Sequence, residues 1–263
     1  MHALMRTSAT GRFAAAYLLA GLATLVFPLL GAASSLAVSP TSLTFSPDDI
    51  AQGLVLHNRG GEVFRAQVRV FAWDQPEGDD RLEPTDRLVA SPPFVTIPPG
   101  EQQFVRIVRR HAGNSEEPRE EAFRLLVDEL PINEEAPPPS TVTQAPSAGL
   151  RFKLRYSIPV FINTPSDSRA TVRWSTTGPA TETLRVTATN TGSSRAQIAD
   201  LRVLNAEGAS AATQDGLVGY VLPGVTRTWS LPWPTSAEIP AEIDARINGE
   251  RRSQSLSARD PAD

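Results

Sequence analysis

Apolar and polar side chains alternate, residue by residue, along most of the chain after residue 35. Because successive side chains of a β-strand point to opposite faces, this period of two predicts strands that each bury one face. The clearest segments are RAQVRVFAW (65–73), QQFVRIVRR (102–110), AFRLLVDEL (122–130) and TLRVTATN (183–190). No stretch of eleven or more residues in this part of the sequence has a convincing helical period, and Pro and Gly interrupt it at short intervals. The sequence therefore predicts an all-β protein built from sandwiches.

The first 35 residues have a different composition. Two arginines precede the apolar run FAAAYLLAGLATLVFPLLGAA (13–33), and small residues follow it. This order predicts a secretory signal peptide over residues 1–35, cleaved between Ala33 and Leu36. The length of the apolar run leaves a transmembrane anchor as the alternative. A cleaved chain would have no segment inserted in a membrane.

Charge and cysteine content narrow the class further. Removal of the first 35 residues takes away two positive charges and no negative one, so the net charge falls from −4 to −6. Nucleic acid is a poor partner for such an acidic chain. The chain holds no cysteine, so it folds without disulfides. A Gram-negative periplasm is the compartment that we expect.

An internal repeat divides the exported chain. The segments LVLHNRGGEVFRAQVRVF (54–71) and RVTATNTGSSRAQIADLRVL (185–204) share a strand, an Asn-x-Gly turn and an Arg-Ala-Gln triplet that opens the next strand. The segments IPPGEQQFVRI (97–107) and VLPGVTRTWSL (221–231) share a Pro-Gly turn followed by an aromatic residue. Equivalent residues lie 132 positions apart at the first motif and 124 at the second. A period of this length predicts two copies of one sandwich.

The repeat sets the expected domain boundaries. We expect an N-terminal domain over 36–162 and a C-terminal domain over 167–250, joined by the polar linker NTPSDS (163–168). The segment 131–149 is too rich in Pro, Ser and Glu to pack, and residues 251–263 form a polar tail.

The segment LRFKLRYSIPVFI (150–162) combines an apolar and a cationic face. Its apolar face starts with Leu150, Phe152, Leu154 and Tyr156, and its cationic face holds Arg151, Lys153 and Arg155. A row of three cations is unusual on a strand of an acidic protein, whose polar face normally mixes charges with Ser and Thr.

Four motifs in register resemble the PapD-like periplasmic pilus chaperones. They are SPPFVTIPPGEQQFVRI (91–107), FRLLVDELP (123–131), LRYSIPVF (154–161) and GYVLPG (219–224), and the last two point to the archaic, Csu-type branch that serves spore-coat-U-like subunits. The resemblance implies two immunoglobulin-like domains set as an L. It also implies a chaperone, without enzymatic activity or cofactor, that caps pilus or fimbrial subunits by donor-strand complementation until an outer-membrane usher takes them.

The resemblance assigns roles to the strand at 150–161. Leu150, Phe152 and Leu154 are expected to fill the open groove of the subunit, although Leu154 is equally well explained as a residue of the domain core. Arg155, helped by Lys153, is expected to bind the C-terminal carboxylate of the subunit. The alternative is that these cations form an ordinary solvated face.

The sequence departs from the family pattern in three places. Ser42 stands where a first-strand cation is usual, so Lys153 or Arg106 would have to replace it. The segment TQAPSAG (143–149) shortens the apolar face of the donor strand. Ile158 replaces the arginine of an interdomain ion pair, so Glu129, matched to the carboxylate of that pair, is expected to pair with Arg106 and the hinge to be looser.

Catalytic and sugar-binding functions are the alternatives. After processing, the two histidines His57 and His111 have no evident partner, and the pairs Asp48-Asp49 and Asp79-Asp80 are typical of surface turns. No Cys/His spacing indicates a metal site. Exposed tryptophans on a sandwich can bind sugars, so a secreted carbohydrate-binding or adhesin-type module remains the second hypothesis; the tryptophans are Trp73, Trp174, Trp229 and Trp233.

Overall fold

The computed structural model describes residues 36–110, 119–131, 153–162, 168–178, 182–234 and 239–256. The strands of the first half are β1 (Leu36–Ser39), β2 (Leu43–Phe45), β3 (Ala51–Asn58), β4 (Phe64–Asp74), β5 (Arg81–Pro84), β6 (Leu88–Ser91), β7 (Phe94–Ile97), β8 (Gln102–Arg109), β9 (Glu121–Glu129) and β10 (Arg155–Ile162). Those of the second half are β11 (Val172–Thr177), β12 (Thr183–Asn190), β13 (Ala196–Leu204), β14 (Ser210–Val221), β15 (Thr226–Pro232), β16 (Glu242–Ile247) and β17 (Glu250–Ser255). Within these ranges the single 3-10 turn Pro76–Gly78 is the only helical element, and no helix could span a membrane.

Two sheets form the N-terminal sandwich, which comprises β1 to β10. Sheet A has the order β1-β3-β8-β6, and sheet B has the order β2-β10-β9-β4-β5, with β7 paired to β4. Alternate residues of the strands point between the sheets, as the period of two predicts. The fully buried centre of this core includes Phe45, Leu54, Leu56, Ile107 and Leu125.

Two further sheets form the C-terminal sandwich, which comprises β11 to β17. Sheet C has the order β11-β12-β15, and sheet D has the order β14-β13-β16-β17. The fully buried centre of its core includes Leu184, Ile198, Leu201 and Ile243. The expected fold class, all-β with two immunoglobulin-like sandwiches, is confirmed.

The sequence repeat corresponds to the same hydrogen-bonding arrangement in both sandwiches. Asn58 and Asn190 are both fully buried, and each accepts a hydrogen bond at Oδ1 from the glycine two residues later, at 3.0 Å. Each also donates from Nδ2 to two backbone carbonyls, at 2.7 to 3.0 Å. The backbone carbonyl of each asparagine accepts the N–H of the glycine of the Pro-Gly turn, Gly100 or Gly224, at 2.9 and 2.8 Å. The two motifs of the repeat are therefore joined in space in both sandwiches.

The aromatic residues after the two Pro-Gly turns point in opposite directions. Phe104 lies four residues after its glycine and is 53% exposed on the outer face of sheet A, whereas Trp229 lies five residues after its glycine and packs against the core. A difference of one residue reverses the face of a strand. The Phe104 ring lies across Gly53, where an added Cβ would come within 2.2 Å of it, so the glycine makes room for the ring.

The four strands predicted most clearly from the sequence are present as β4, β8, β9 and β12, with ends within one residue of the predicted ones. The strand predicted from residue 150 begins at Arg155 in the structure, and residues 150–152 lie outside the described residues. Residues 251–255, predicted to belong to a polar tail, instead lie in β17 of sheet D, so the C-terminal sandwich extends beyond the predicted end at 250. The predicted signal peptide, most of the predicted linker, the segment 132–152 and residues 257–263 also lie outside the described residues.

Candidate functional site

Strand β10 has one edge that is only partly paired. It pairs antiparallel with β9 along its whole length, from Arg155 to Ile162, whereas β2 pairs with it, in parallel, only at Val160–Ile162. Among the described residues, no strand pairs with the second edge between Arg155 and Pro159. A free edge of this kind offers backbone donors and acceptors to an incoming strand. Because the Leu154 carbonyl bonds to β9, alternation turns the backbone of Arg155, Ser157 and Pro159, and not that of Tyr156, toward this second edge. We call the edge formed by these three residues the free edge.

One face of β10 continues the core of the N-terminal sandwich. Tyr156, Ile158, Val160 and Ile162 point into that core or pack against it. By alternation Leu154 belongs to the same side, but it is half-buried and is not part of the core cluster. Its backbone is fixed by Glu129, whose N–H donates to the Leu154 carbonyl and whose Oε2 accepts the Leu154 N–H, both at 3.0 Å.

Leu150 and Phe152 would continue the row of apolar side chains, if the strand alternation extends upstream. Both lie outside the described residues, so their role as donor residues stays a prediction, as does that of Leu154.

The opposite face of sheet B carries polar side chains in register, and we call it the cleft face. It has three rows across β10, β9 and β4, which are Arg155–Asp128–Gln67, Ser157–Leu126–Arg69 and Pro159–Arg124–Phe71. The next row along β10 begins with Phe161, which is covered by the C-terminal sandwich through contacts with Tyr220 and Leu222. The cleft face therefore runs from solvent toward the junction between the sandwiches.

Arg155 lies on the cleft face but already has an anionic partner. Its Nε forms an ion pair with Asp128 Oδ1, and Arg69 Nη2 lies 2.7 Å from Asp128 Oδ2. Desolvation by burial raises the pKa of Asp128, but the hydrogen bonds from Arg69 and Arg155 outweigh it and hold the pKa below its ordinary value. Lys153, the predicted helper, is exposed at the solvent end of this face.

Arg124 is the cation that sequence reasoning missed. Its guanidinium lies over the Trp73 ring, 3.7 Å from the centroid, and 5.6 Å from the Tyr220 ring centroid. Desolvation by burial lowers its pKa from the ordinary value, opposed by the attraction of Asp80. No residue that the structure describes forms a hydrogen bond or ion pair with the Arg124 guanidinium. Because stacking occupies the face of the guanidinium, its in-plane N–H groups stay available to an anion.

The position of Arg124 follows from strand register. It lies beside Pro159 on β9, across β10 from the edge at which pairing with β2 begins. Arg155 lies four residues before Pro159 on β10, a separation of about 13 Å along an extended strand. The signal for Arg124 in the sequence was its place on the polar side of FRLLVDELP, but the two aromatic rings beneath it come from residues far away in the sequence.

The expected ion pair between Arg106 and Glu129 is wrong. Arg106 lies on β8 in sheet A and Glu129 on β9 in sheet B, so the two residues belong to different layers of the sandwich. Glu129 instead accepts the hydrogen bond from the Leu154 backbone described above. Ser42, where the family pattern has a cation, is exposed just before β2, and Arg106, offered as its replacement, lies in sheet A and adds no charge to the cleft face.

An ion pair between the sandwiches does exist, with other residues. Glu120, almost fully buried before β9, forms an ion pair with Arg195 and accepts the Arg195 N–H at 3.0 Å. Burial raises the pKa of Glu120, against the opposing effect of Arg195. The guanidinium of Arg195 also lies 3.7 Å from the centroid of the Phe161 ring. The junction is thus tied by charge as well as by aromatic contacts, contrary to the looser hinge that the sequence suggested.

The structure gives no support to the catalytic or sugar-binding alternatives. Asp49 is a turn residue whose Oδ2 accepts the Ser46 N–H at 2.8 Å, which is the main reason that its pKa is lowered. Trp73, Trp174 and Trp233 are buried, and Trp229 packs against the core, so they form no exposed aromatic platform. Within the described ranges, no group of His, Cys, Asp or Glu is arranged to hold a metal ion.

Solved structures with the same fold cover most of the chain. A chain of the CsuC-CsuE chaperone-tip adhesion subunit complex of Acinetobacter baumannii is 20% identical, with 85% of this chain and 98% of that chain covered and a TM-score of 0.62. A chain of the Salmonella enterica SafA pilin–SafB chaperone complex is 19% identical, with 84% of this chain and 96% of that chain covered and a TM-score of 0.59. The Pseudomonas aeruginosa CupB2 chaperone is 17% identical, with 84% of this chain and 100% of that chain covered and a TM-score of 0.54. At these identities the likeness establishes the fold.

Sequence comparison supplies the family. No curated protein sequence matches the chain. The family described as pili and flagellar-assembly chaperone, PapD N-terminal domain, matches residues 35–167, which is half of the chain. The protein therefore belongs to the pili and flagellar-assembly chaperones with a PapD N-terminal domain.

Proposed function

We propose that this protein is a periplasmic chaperone that caps pilus subunits by lending them the strand that leads into β10. The observation that supports this most directly is the free edge of β10. One face of this strand continues the apolar core, and the other belongs to the cleft face, which carries cations. A subunit that lacks its last strand leaves an apolar groove and unpaired backbone groups exposed. A lent strand supplies both missing parts, since it pairs along the free edge and inserts alternate apolar side chains into the groove.

Export to the periplasm and transfer to an outer-membrane usher belong to the same proposal. The predicted signal peptide supports export. Family membership supports subunits as the cargo and the usher as the recipient. A pilin-like reading frame beside this gene, if one is found, is the first candidate for the cognate subunit.

The end of the free edge determines where the subunit's C-terminus would lie. Pairing with β2 begins at Val160, so a strand added to the free edge has to stop near Pro159. Arg124 lies in the same row, one strand inward on β9, and its in-plane donors have no partner among the described residues. We propose it as the main group that binds the terminal carboxylate where the subunit's C-terminus turns over the cleft face. Arg155 and Lys153, predicted from the sequence, lie farther out on the same face and would act on residues upstream of the terminus.

A peptide binding experiment separates the two anchors. Peptides with the sequence of the subunit's C-terminal strand are made with a free carboxylate and with an amide. A charge-assisted hydrogen bond is worth about 1.5–3 kcal/mol, so Arg124→Ala should weaken binding of the acid peptide by roughly 10- to 100-fold. Binding of the amide peptide should stay nearly unchanged. Arg155→Ala is the matched control, because it removes an arginine from the same face, and it should keep most of the preference for the acid.

Two results would overturn parts of the proposal. If Arg155→Ala abolishes the preference and Arg124→Ala does not, the carboxylate is bound at the outer end of the row, as the sequence alone predicted. If the wild type captures neither the subunit on co-expression in the periplasm nor either peptide, the chaperone function itself is wrong.

A further inference from the structure

A buried glutamine joins the two sandwiches. Gln75 directly follows β4 and is 2% exposed. Its Nε2 donates to the backbone carbonyl of Tyr220 at 3.0 Å, and its Oε1 accepts the N–H of Leu222 at 2.9 Å. These two backbone groups are the ones that a residue of a neighbouring parallel strand would use. The side-chain amide of the N-terminal sandwich therefore takes the place of one strand residue at the end of β14.

The same amide is linked to a carboxylate that holds both sandwiches. Nε2 of Gln75 also donates to Asp80 Oδ1 at 2.8 Å. That oxygen accepts two further hydrogen bonds, from Trp73 Nε1 at 3.1 Å and from Arg227 Nη1 at 3.2 Å. Arg227 Nη1 in turn donates to the Tyr220 carbonyl at 3.2 Å. Trp73 and the backbone of Tyr220 are thus fixed to each other through Gln75 and Asp80.

The two rings held in this way form the support of Arg124. Trp73 comes from the N-terminal sandwich and Tyr220 from the C-terminal one, with centroids 5.5 Å apart and planes at 82°. Arg124 lies over the first ring and close to the second. This arrangement exists only while the two sandwiches keep one mutual position.

We propose that Gln75 is a positioning residue for subunit binding. Its amide fixes the relation between the sandwiches, and thereby holds the Trp73–Tyr220 support that presents Arg124 on the cleft face, in the row at which the free edge ends. The link to subunit binding rests on the proposed function, whereas the effect on the relation between the sandwiches does not.

The chain offers a matched control for the chemistry of this contact. Gln254 on β17 makes the same kind of double contact inside the C-terminal sandwich, since its Oε1 accepts the Trp174 N–H and its Nε2 donates to the Trp174 carbonyl, both at 3.0 Å. Gln254→Met therefore removes two amide hydrogen bonds to backbone without touching the junction. A purely structural role for Gln75 would make the two glutamines equivalent.

The first test measures the relation between the sandwiches. Because the chain has no cysteine, spin labels can be attached at Thr96→Cys on β7 and Ser175→Cys on β11, both exposed. Gln75→Met, which keeps the side-chain volume, should broaden or shift the distance distribution between the labels. Gln254→Met should leave it unchanged. An unchanged distance distribution in a folded Gln75→Met protein overturns the proposal. If Gln75→Met does not fold, the same measurement is made on Gln75→Glu, which keeps only the acceptor for the Leu222 N–H.

The second test measures whether the mutual position of the sandwiches affects binding of the terminal carboxylate. The ratio of affinities for the acid and amide peptides should fall at least threefold in Gln75→Met, with little change for the amide peptide, whereas Gln254→Met should keep the wild-type ratio. A wild-type ratio in Gln75→Met overturns the positioning role. If the wild type itself shows no preference for the acid, the carboxylate anchor fails, and a broadened distance distribution in Gln75→Met still supports its role at the junction.

Discussion

Asn58 and its counterpart Asn190 show how much one side chain can organise. Each asparagine is buried where a strand ends in a turn, and its side chain hydrogen-bonds three backbone groups, one of them through a fully buried hydrogen bond. An amide is suited to this position because it donates and accepts at once. The turn glycine and the later Pro-Gly turn are held by the same residue, so a local motif closes a contact across about forty residues of sequence.

Substitutions of Asn58 should separate the donor role from the acceptor role. Asn58→Ala removes the donor to the carbonyls of Glu62 and Ile97, of which the contact to Ile97 is buried, so we expect the free energy of unfolding to fall by about 1–3 kcal/mol. Asn58→Asp should be worse at pH 7, because a carboxylate would face two carbonyl oxygens. Its pKa in the folded state would be raised, so the deficit should shrink as the pH falls through that pKa toward the unfolded value. Urea unfolding between pH 4 and 7 measures both effects.

The control for Asn58 is Asn205, whose half-buried side chain accepts one backbone N–H in an exposed hydrogen bond. Asn205→Ala should cost about 1 kcal/mol or less. Equal stability of Asn58→Asp and Asn58→Ala at pH 7 would contradict the assignment of the two donor contacts.

At the scale of one element, the two halves of β10 have different roles. Its second half closes the N-terminal core and, through Phe161, the junction between the sandwiches. Its first half has a free edge, and the residues before it carry the apolar pattern of a donor strand. Strand β10 thus connects its free edge to the core of the N-terminal sandwich.

Phe152→Asp tests the donor half of this strand. The groove of a subunit cannot solvate a buried carboxylate, so the variant should stay folded but bind the subunit at least 100-fold more weakly. Co-purification from the periplasm and thermal melting of the free chaperone measure the two properties. The matched control is Phe104→Asp, which replaces an exposed phenylalanine on the outer face of sheet A and should keep capture intact. Unfolding of Phe152→Asp would place Phe152 in the domain core.

At the scale of the whole molecule, the junction is a small core of its own. Trp73, Phe161, Tyr220 and Leu222 are buried together, with ring centroids 5.5 to 6.0 Å apart among the three aromatic residues. The ion pair between Glu120 and Arg195 lies at the same junction and uses the Phe161 ring as a second support. We therefore expect the two sandwiches to unfold as one cooperative unit.

Phe161→Ala should break that cooperativity. The ring belongs to the junction and not to the core of either sandwich, so its loss, worth about 3–5 kcal/mol, should fall on the coupling between them. Scanning calorimetry should show one two-state transition in the wild type and two transitions in the variant. The control Ile243→Val, in the core of the C-terminal sandwich, should lower the melting temperature without separating transitions. A single two-state transition in Phe161→Ala would contradict this account.

The sequence alone predicted the strands, the repeat and the family, because each depends on local patterns. A period of two fixes which side chains share a face, and the Asn-x-Gly and Pro-Gly turns each need specific residue types within a few positions. The apolar row and the cationic face of 150–162 followed from the same periodicity. Family motifs added the expected partner, since they are short and lie in a fixed order.

The tertiary structure decided which side chains meet. Arg155 is paired with Asp128 and Arg124 is stacked on Trp73 because strand order and register bring β10, β9 and β4 side by side, and no local pattern specifies that register. The junction could not be predicted for the same reason, since Gln75 and Tyr220 are 145 residues apart. Periodicity assigns a side chain to a face, but the partner on that face depends on packing among distant segments, which is a property of the whole fold.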